Sequence, residues 1–353
     1  MTASLNELLK RTSRSFYLTL RLLPDAVRSQ IGLAYLLART TDTIADTELV
    51  PADQRLAALE ALRVRILGQD ESPPNFGELA RHQGWPVERL LLERVDDSLA
   101  LLHTLSAEDL QLVRQVLDTI TSGQELDLRQ FGGGSAARED ARPTRPVVAL
   151  PSDADLNDYI YRVAGCVGVF WTKMCRNHLF SDAALDDVQL LADGVRFGKG
   201  LQLVNILRDL PRDLRLGRCY VPEERLRALE LRPEDLLNPE NGPRFRPIYH
   251  ELLNQAEDHL AAGWSYTNSI PTDQWRVRLA CALPILIGVR TIDLLRSGEM
   301  LDPLRQIKVP RAQVYDLLLR AVLHVPFPAM FRNLWNPQAG RVGNAIASQT
   351  DLA

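Results

Sequence analysis

Leu201-Gln202-Leu203-Val204-Asn205-Ile206-Leu207-Arg208-Asp209-Leu210-Pro211-Arg212-Asp213 is the stretch on which the reading of this chain turns. It is patterned as a helix, and it carries two aspartates four residues apart. About 170 residues upstream the arrangement recurs in Tyr35-Leu36-Leu37-Ala38-Arg39-Thr40-Thr41-Asp42-Thr43-Ile44-Ala45-Asp46. Residues four apart on a helix share one face, with Cβ atoms roughly 5–6 Å apart. Two carboxylates so placed repel unless a cation sits between them. Mg²⁺ suits the position because it takes oxygen ligands and is shared between carboxylates and substrate phosphates. Two facing helices, each with such a pair, make a cage for metal ions and a diphosphate. A diphosphate held in that way becomes a leaving group, which points to ionisation chemistry.

The flanking residues fit the same chemistry. Ser13-Arg14-Ser15-Phe16 precedes the first motif, and Arg39 stands one turn before Asp42. Gln202, Asn205 and Arg208 precede Asp209, and Arg218 follows Gly217. Guanidinium groups present a planar fork of donors to phosphate and stay charged. Asn205, four residues before Asp209, can complete an oxygen-rich Mg²⁺ shell. Asp42 and Asp46 otherwise sit among Leu, Ala, Ile and Tyr, where unpaired charge is costly.

The chain has 353 residues, enough for one large domain or two to three smaller ones. A net charge of −4 argues against a nucleic-acid binder, which needs a basic footprint. Cys166, Cys175, Cys219 and Cys281 form no C-x-x-C pair and read as buried small hydrophobes of a reducing compartment. The N-terminus lacks a basic start followed by an apolar core, so a cytoplasmic location is expected. The apolar run from Leu279 to Val289 is short of the ~18–20 residues that span a bilayer.

Helical periodicity covers nearly every segment, and strand content is expected to be small. Helices are expected to start at Leu5 and to cover 31–43, 56–67, 86–105, 107–129, 156–177, 182–214, 223–229, 246–268, 274–297 and 311–324. Ser106 is the expected N-cap before Ala107-Glu108-Asp109. Residues 132–155, rich in Gly, Pro and charge, read as a mobile loop inserted within one domain. Further breaks fall at 231–246 and in the tail from 326 to 353. Gly165 and Gly168 sit inside a helical pattern at a cost of about 1 kcal/mol each, so they need a reason. Room for a long apolar substrate and close helix contact are equally good ones.

Four stretches together resemble the squalene/phytoene synthase family: S-R-S-F, Y-L-L-A-R-T-T-D-T-I-A-D, Y-R-V-A-G-C-V-G and L-Q-L-V-N-I-L-R-D-L-P-R-D-L-R-L-G-R. The likeness runs from Ser13 to about Arg311. It implies an all-α fold of the class I isoprenoid synthase type, one large helical domain over 1–325 around a central cavity. Asp42, Asp46, Asp209 and Asp213 would then hold Mg²⁺. Ser13, Arg14, Arg39, Asn205, Arg208 and Arg218 would contact diphosphates, and Tyr35, Tyr159 and Gln202 would line the reaction centre. Arg162 stands where eukaryotic squalene synthases place a catalytic tyrosine, so that role would pass to Tyr159 or Tyr161.

Thr41-Asp42-Thr43 resembles the L-D-T-x-x-D of squalene synthases rather than the double aspartate of phytoene and dehydrosqualene synthases. Cys281-Ala282-Leu283-Pro284 is similar to their C-A-I-P segment. Ile307-Lys308-Val309-Pro310-Arg311 is similar to a stretch associated with NADPH, which marks Lys308 and Arg311 as cofactor contacts. Gly217-Arg218-Cys219-Tyr220-Val221-Pro222 resembles phytoene synthases instead. The mixture implies a bacterial-type squalene synthase acting on two molecules of farnesyl diphosphate. The alternatives are a phytoene- or dehydrosqualene-type synthase that ends by proton loss, and a non-catalytic helical assembly protein of the same fold. The tail around Phe327, Met330 and Trp335 either meets a membrane surface or caps the core. Oligomeric state stays open.

Overall fold

The computed structural model describes residues 3–13, 16–72, 75–132, 146–304 and 307–335. Eight helices build the first part: α1 Ala3–Ser13, α2 Phe16–Leu22, α3 Asp25–Ala45, α4 Ala52–Leu67, α5 Gly77–His82, α6 Pro86–Glu93, α7 Val95–Leu102 and α8 Ala107–Phe131. Eight more follow: α9 Asp153–Ile160, α10 Cys166–Leu179, α11 Asp187–Arg215, α12 Glu223–Ala228, α13 Gly242–Ser269, α14 Trp275–Arg296, α15 Arg311–His324 and α16 Pro328–Arg332. Among the described residues the strand content is one parallel pair, β1 Val148–Ala149 against β2 Arg218–Cys219.

Local chemistry sets several of these boundaries. Ser106 caps α8, its Oγ accepting from the Asp109 N–H at 3.1 Å. Ser152 and Asp155 form a reciprocal capping box at the start of α9. The span expected as one helix over 86–105 is two, because Arg94 leaves helical geometry at φ −114°. That break lets Leu91, Leu92, Val95, Leu99 and Leu102 all reach the core. The span expected over 156–177 runs from α9 into α10 through a π turn at Tyr161–Gly165, which re-aims the side chains on either side.

Helix α11 runs through the middle of the molecule. It lies antiparallel to α13: Phe197 sits at Gly263, Gly200 at Leu260, and the Tyr249 hydroxyl at the Leu207 carbonyl. Its approach to α10 is closer still. A Cβ on Gly168 would fall 1.9 Å from the Gly194 carbonyl oxygen, and one on Gly198 would fall 2.2 Å from that of Ala164. Close backbone contact therefore requires Gly168, although both helices also border the central cavity here. Leu203, Leu207, Leu253, Leu260 and Ile285 belong to one apolar core around α11, α13 and α14. Leu36, Leu37, Leu59, Leu62 and Met174 belong to a second core built by α1–α8 and α10.

The segment expected as a mobile loop over 132–155 is structured from residue 146 onward, where Val147 and Leu150 are buried and β1 pairs with β2. Its residues 133–145 lie outside the described residues. In the tail, Phe331 is buried and stacks on Trp264 at 5.5 Å, and the Trp264 Nε1–H donates to the Arg332 carbonyl at 3.1 Å. Residues 326–335 thus fold back onto α13, while 336–353 lie outside the described residues. No helix among the described residues is long and apolar enough to cross a membrane.

Candidate active site

Both aspartate pairs occupy the C-terminal ends of long helices. Asp46 is the C-cap of α3, and Asp209 and Asp213 lie in the last turns of α11. A helix C-terminus carries the negative end of the backbone dipole, which disfavours carboxylates and favours cations. The carboxyls respond accordingly. Asp46 is pushed up to about 7, first by the surrounding protein and then by Asp42. Asp213 is pushed up to about 7 by burial and then by Asp209. Asp46 keeps exposed surface at the C-terminal end of α3. Asp42 is also raised by the enclosing protein, against the pull of Arg39 and Gln124.

The arginines already hold carboxylates. Arg39 bridges Asp42 at 3.0 Å and also binds Glu88. Arg208 grips its neighbour Asp209 with two bonds, at 2.8 and 2.6 Å. Arg218, delivered by β2, reaches Glu48 and Asp127, each at 3.5 Å. Asp127 in turn accepts from the Tyr220 hydroxyl at 2.5 Å, and Tyr220 stacks on Tyr159 at 4.9 Å. Burial raises Tyr159 and Tyr220 well above the ordinary phenol range, so both stay protonated. Arg218 and Asp127 act electrostatically on Asp46 and also on Asp213, which brings the two motifs into one cluster.

Asp127, Tyr220, Gln124, Glu48 and Glu88 are members of this cluster that sequence reasoning missed. The signal for Gln124 and Asp127 was faint: two polar residues three apart on the inner face of an apolar helix. Tyr220 lay in the Gly217–Pro222 stretch but was not singled out.

Beside the cluster lies an apolar cavity of about 430 Å³. Tyr35, Gln202 and Asn205 line the part nearest the aspartates, with Ala164 and Val167 between them and Trp171, Tyr266 and Cys281 at the far end. Pro284 also lines it, and its ring leaves the Ala280 carbonyl in the same wall without a helical donor.

Other expected site residues are placed elsewhere. Tyr161 lies beside Lys199, whose Nζ stands 5.6 Å from its ring, and borders an outer groove with Lys173. Arg162 bonds Asp158 at 2.7 Å and the Ser122 hydroxyl at 3.0 Å. The π turn carries both away from the cluster and leaves Tyr159 inside it. The Ser13 hydroxyl donates to the Leu9 carbonyl of its own helix at 2.5 Å. Lys308 and Arg311 are exposed, line neither the central cavity nor the outer groove, and form no ion pair among the described residues. Arg14 lies outside the described residues.

The donor set fits Mg²⁺. Four carboxylates, two of them pushed up to about 7 in part by their neighbouring aspartates, are oxygen ligands whose mutual repulsion a cation would relieve. Gln124 donates to Asp42 at 3.0 Å, yet its buried Oε1 has no partner. Among the described residues no three His, Cys, Asp or Glu side chains converge into a ready-made metal cage. Mg²⁺ needs none, since it binds through one or two carboxylates plus substrate phosphates.

Residues 9–313 match the family model for squalene/phytoene synthase, and the chain belongs to that family. A presqualene diphosphate synthase of Zymomonas mobilis is 31% identical over 253 residues, covering 71% of this chain and 70% of the relative. A bifunctional lycopene cyclase/phytoene synthase of Gibberella fujikuroi is 29% identical over 277 residues. That match takes in 75% of this chain, which spans only 43% of the bifunctional protein's length. The fold is that of TcSQS solved with a bound ligand, at a TM-score of 0.73 and 20% identity, covering 96% of this chain and 90% of that one. The architecture is thus the all-α one of squalene synthase-type isoprenoid synthases.

Proposed function

We propose that this protein joins two farnesyl diphosphates head to head, through a cyclopropyl diphosphate, and reduces that intermediate with NADPH to squalene. The observation that carries the reading is the convergence of both aspartate pairs around Arg218 and Asp127, beside an apolar cavity. For the product, support comes from Thr41-Asp42-Thr43 and from Cys281 and Pro284, both in the cavity wall.

Mg²⁺ held by Asp42, Asp46, Asp209 and Asp213 would neutralise the diphosphate and improve it as a leaving group. Arg39, Arg208 and Arg218 place permanent positive charge where the departing oxygen becomes anionic. Asn205 and Gln202 add polar groups between that charge and the apolar wall. The protonated hydroxyls of Tyr159 and Tyr220 border the same cluster. Past Asn205 the cavity is lined mostly by carbon, so the allylic cation meets the double bond of the second substrate rather than water. A proton is then lost and the cyclopropane closes. NADPH, when bound, would supply the hydride that ends the second ionisation.

Lys308 and Arg311 are proposed to hold a cofactor phosphate. Their exposure and their absence from the cavity wall favour a second reading, in which the enzyme stops at the cyclopropyl diphosphate.

Incubation with farnesyl diphosphate and Mg²⁺, with and without NADPH, separates the readings. Squalene that appears only with NADPH supports the first. The cyclopropyl diphosphate under both conditions supports the second. Dehydrosqualene would overturn both.

A further inference from the structure

Gln124 stands on the inner side of α8, only 6% exposed, and its Nε2–H donates to Asp42 Oδ1 at 3.0 Å. The other half of the carboxamide is unmatched, because Oε1 is buried and accepts from no group among the described residues. A buried acceptor left unmet is costly, and a native interior that keeps one does so for a bound water, an ion or a functional task. The place favours an ion. Gln124 touches a carboxylate of the first aspartate motif, and the carboxylates do not by themselves converge into a metal cage, so oxygen from another residue type has a part to play.

The second motif has a carboxamide of its own, Asn205, one turn before Asp209. Helix α3 offers none beside Asp42, its single carboxamide being Gln30 toward the other end, and Gln124 reaches across from α8 to supply one. The spacing agrees. Mg²⁺ takes oxygen ligands at about 2.0–2.1 Å in octahedral geometry, so adjacent ligands stand about 2.9 Å apart. Half a turn about the last side-chain bond exchanges Oε1 and Nε2 without a change of shape. Oε1 would then stand near the present 3.0 Å from Asp42 Oδ1, and two acceptors so placed repel unless a cation lies between them. Thr121, one turn earlier on the same side of α8, keeps a buried hydroxyl oxygen without a partner, an acceptor on the side where the displaced amide needs one.

We propose that the Gln124 carboxamide oxygen ligates Mg²⁺ alongside Asp42, so that the first motif holds its metal with one residue more than its two aspartates. A carboxamide is a hard, neutral oxygen ligand, and it adds coordination without adding to the repulsion between Asp42 and Asp46. In the metal-free chain the same group donates to Asp42 and keeps that carboxylate in position. The inference rests on the reading that Asp42 and Asp46 bind Mg²⁺, and it is independent of which product the cavity releases.

Melting of the full chain against MgCl₂, at one fixed concentration of inorganic diphosphate, tests the proposal. Wild type is compared with Gln124→Met, Gln124→Glu and Asp42→Ala. Gln124→Met keeps the length and loses both polar atoms. It should need about tenfold more MgCl₂ for half of the melting rise, the low end of what one supporting contact at a metal contributes. Gln124→Glu keeps an oxygen and loses the N–H. It should need no more MgCl₂ than wild type, while its metal-free form melts lower through repulsion with Asp42. Equal MgCl₂ demand in Gln124→Met and wild type would overturn the proposal; a lower metal-free melting temperature in that same variant would then make Oε1 the seat of a structural water. A Gln124→Glu variant as weak as Gln124→Met would overturn it too, leaving the bond to Asp42 as the whole role of the residue. A wild type indifferent to MgCl₂, or an Asp42→Ala variant that responds as wild type does, would instead take down the metal reading on which the inference rests.

Discussion

Asp46 and Asp213, each pushed up to about 7, take up and release protons in the neutral range. An unfolded aspartate has a pKa of about 3.9, so between that value and 7 the folded chain binds more protons than the unfolded one. Stability from these groups is fully present below the unfolded value and is lost as pH rises through 7. The metal-free protein should therefore lose melting temperature as pH rises from 5 to 8. Asp46→Asn with Asp213→Asn should flatten that slope, as scanning calorimetry across the range would show. Mg²⁺ with diphosphate should raise the melting temperature more at pH 8 than at pH 6; a uniform rise would disconnect the carboxyls from metal. Asp42→Ala and Asp209→Ala test the chemistry itself. Each should cut turnover by about 10²–10³-fold, the scale for losing one preorganised charge-stabilising group. Circular dichroism and melting should match wild type, because carboxylates that repel one another do not hold the apo fold together. The aspartates and arginines were legible because spacing on one helix is local information. Asp127 and Tyr220 were not, because their meaning depends on α8 and β2 arriving at the same place.

Helix α11 carries Pro211 between its two aspartates, where a proline ring denies the Leu207 carbonyl its helical donor. The Tyr249 hydroxyl of α13 takes the donor's place at 3.0 Å, in a fully buried position. Tyr249→Phe should therefore cost about 1–3 kcal/mol, the penalty of leaving a buried carbonyl unmet. Because the loss falls inside the metal motif, turnover should drop along with stability. Urea denaturation and steady-state rates measured on the same preparation would check it; an unchanged midpoint would show that the carbonyl finds another donor. Helix periodicity located α11 and α14 well, since both are long and α14 is apolar on nearly every side, with 277–283 all buried. It ran past Arg94 and the π turn at Tyr161–Gly165, because neither disrupts the apolar pattern enough to be read from spacing. The cost was concrete: three adjacent candidates, Tyr159, Tyr161 and Arg162, could not be sorted until the extra residue of that turn was seen.

At the scale of the whole molecule, the tail belongs to the structure. Phe331 is fully buried against Trp264, with the Arg278 guanidinium 4.8 Å from its ring centre and Trp335 edge-on to Trp264 at 6.2 Å. A chain ending at Val325 should lose about 3 kcal/mol or more, the cost of emptying one large aromatic site, and should melt earlier. An unchanged melting temperature would make the tail an ornament. Whether these aromatics turned inward or outward could not be read from composition, because the same residues suit a core and a membrane interface. The answer is divided: Phe331 faces in, while Phe327 and Met330 face out.

The approach of α10 to α11 has a last consequence. Backbone meets backbone at Gly168 and Gly194, and again at Ala164 and Gly198, with no side chain between them. Side chains can repack or change rotamer, whereas two main chains in contact can neither close further nor yield by local adjustment. The girth of the chamber is thus fixed as by a mechanical stop, while its length along α11 ends on Trp171 and Tyr266, side chains that substitution can shorten. Guests of the chamber are then sorted by how far they reach rather than by how thick they are.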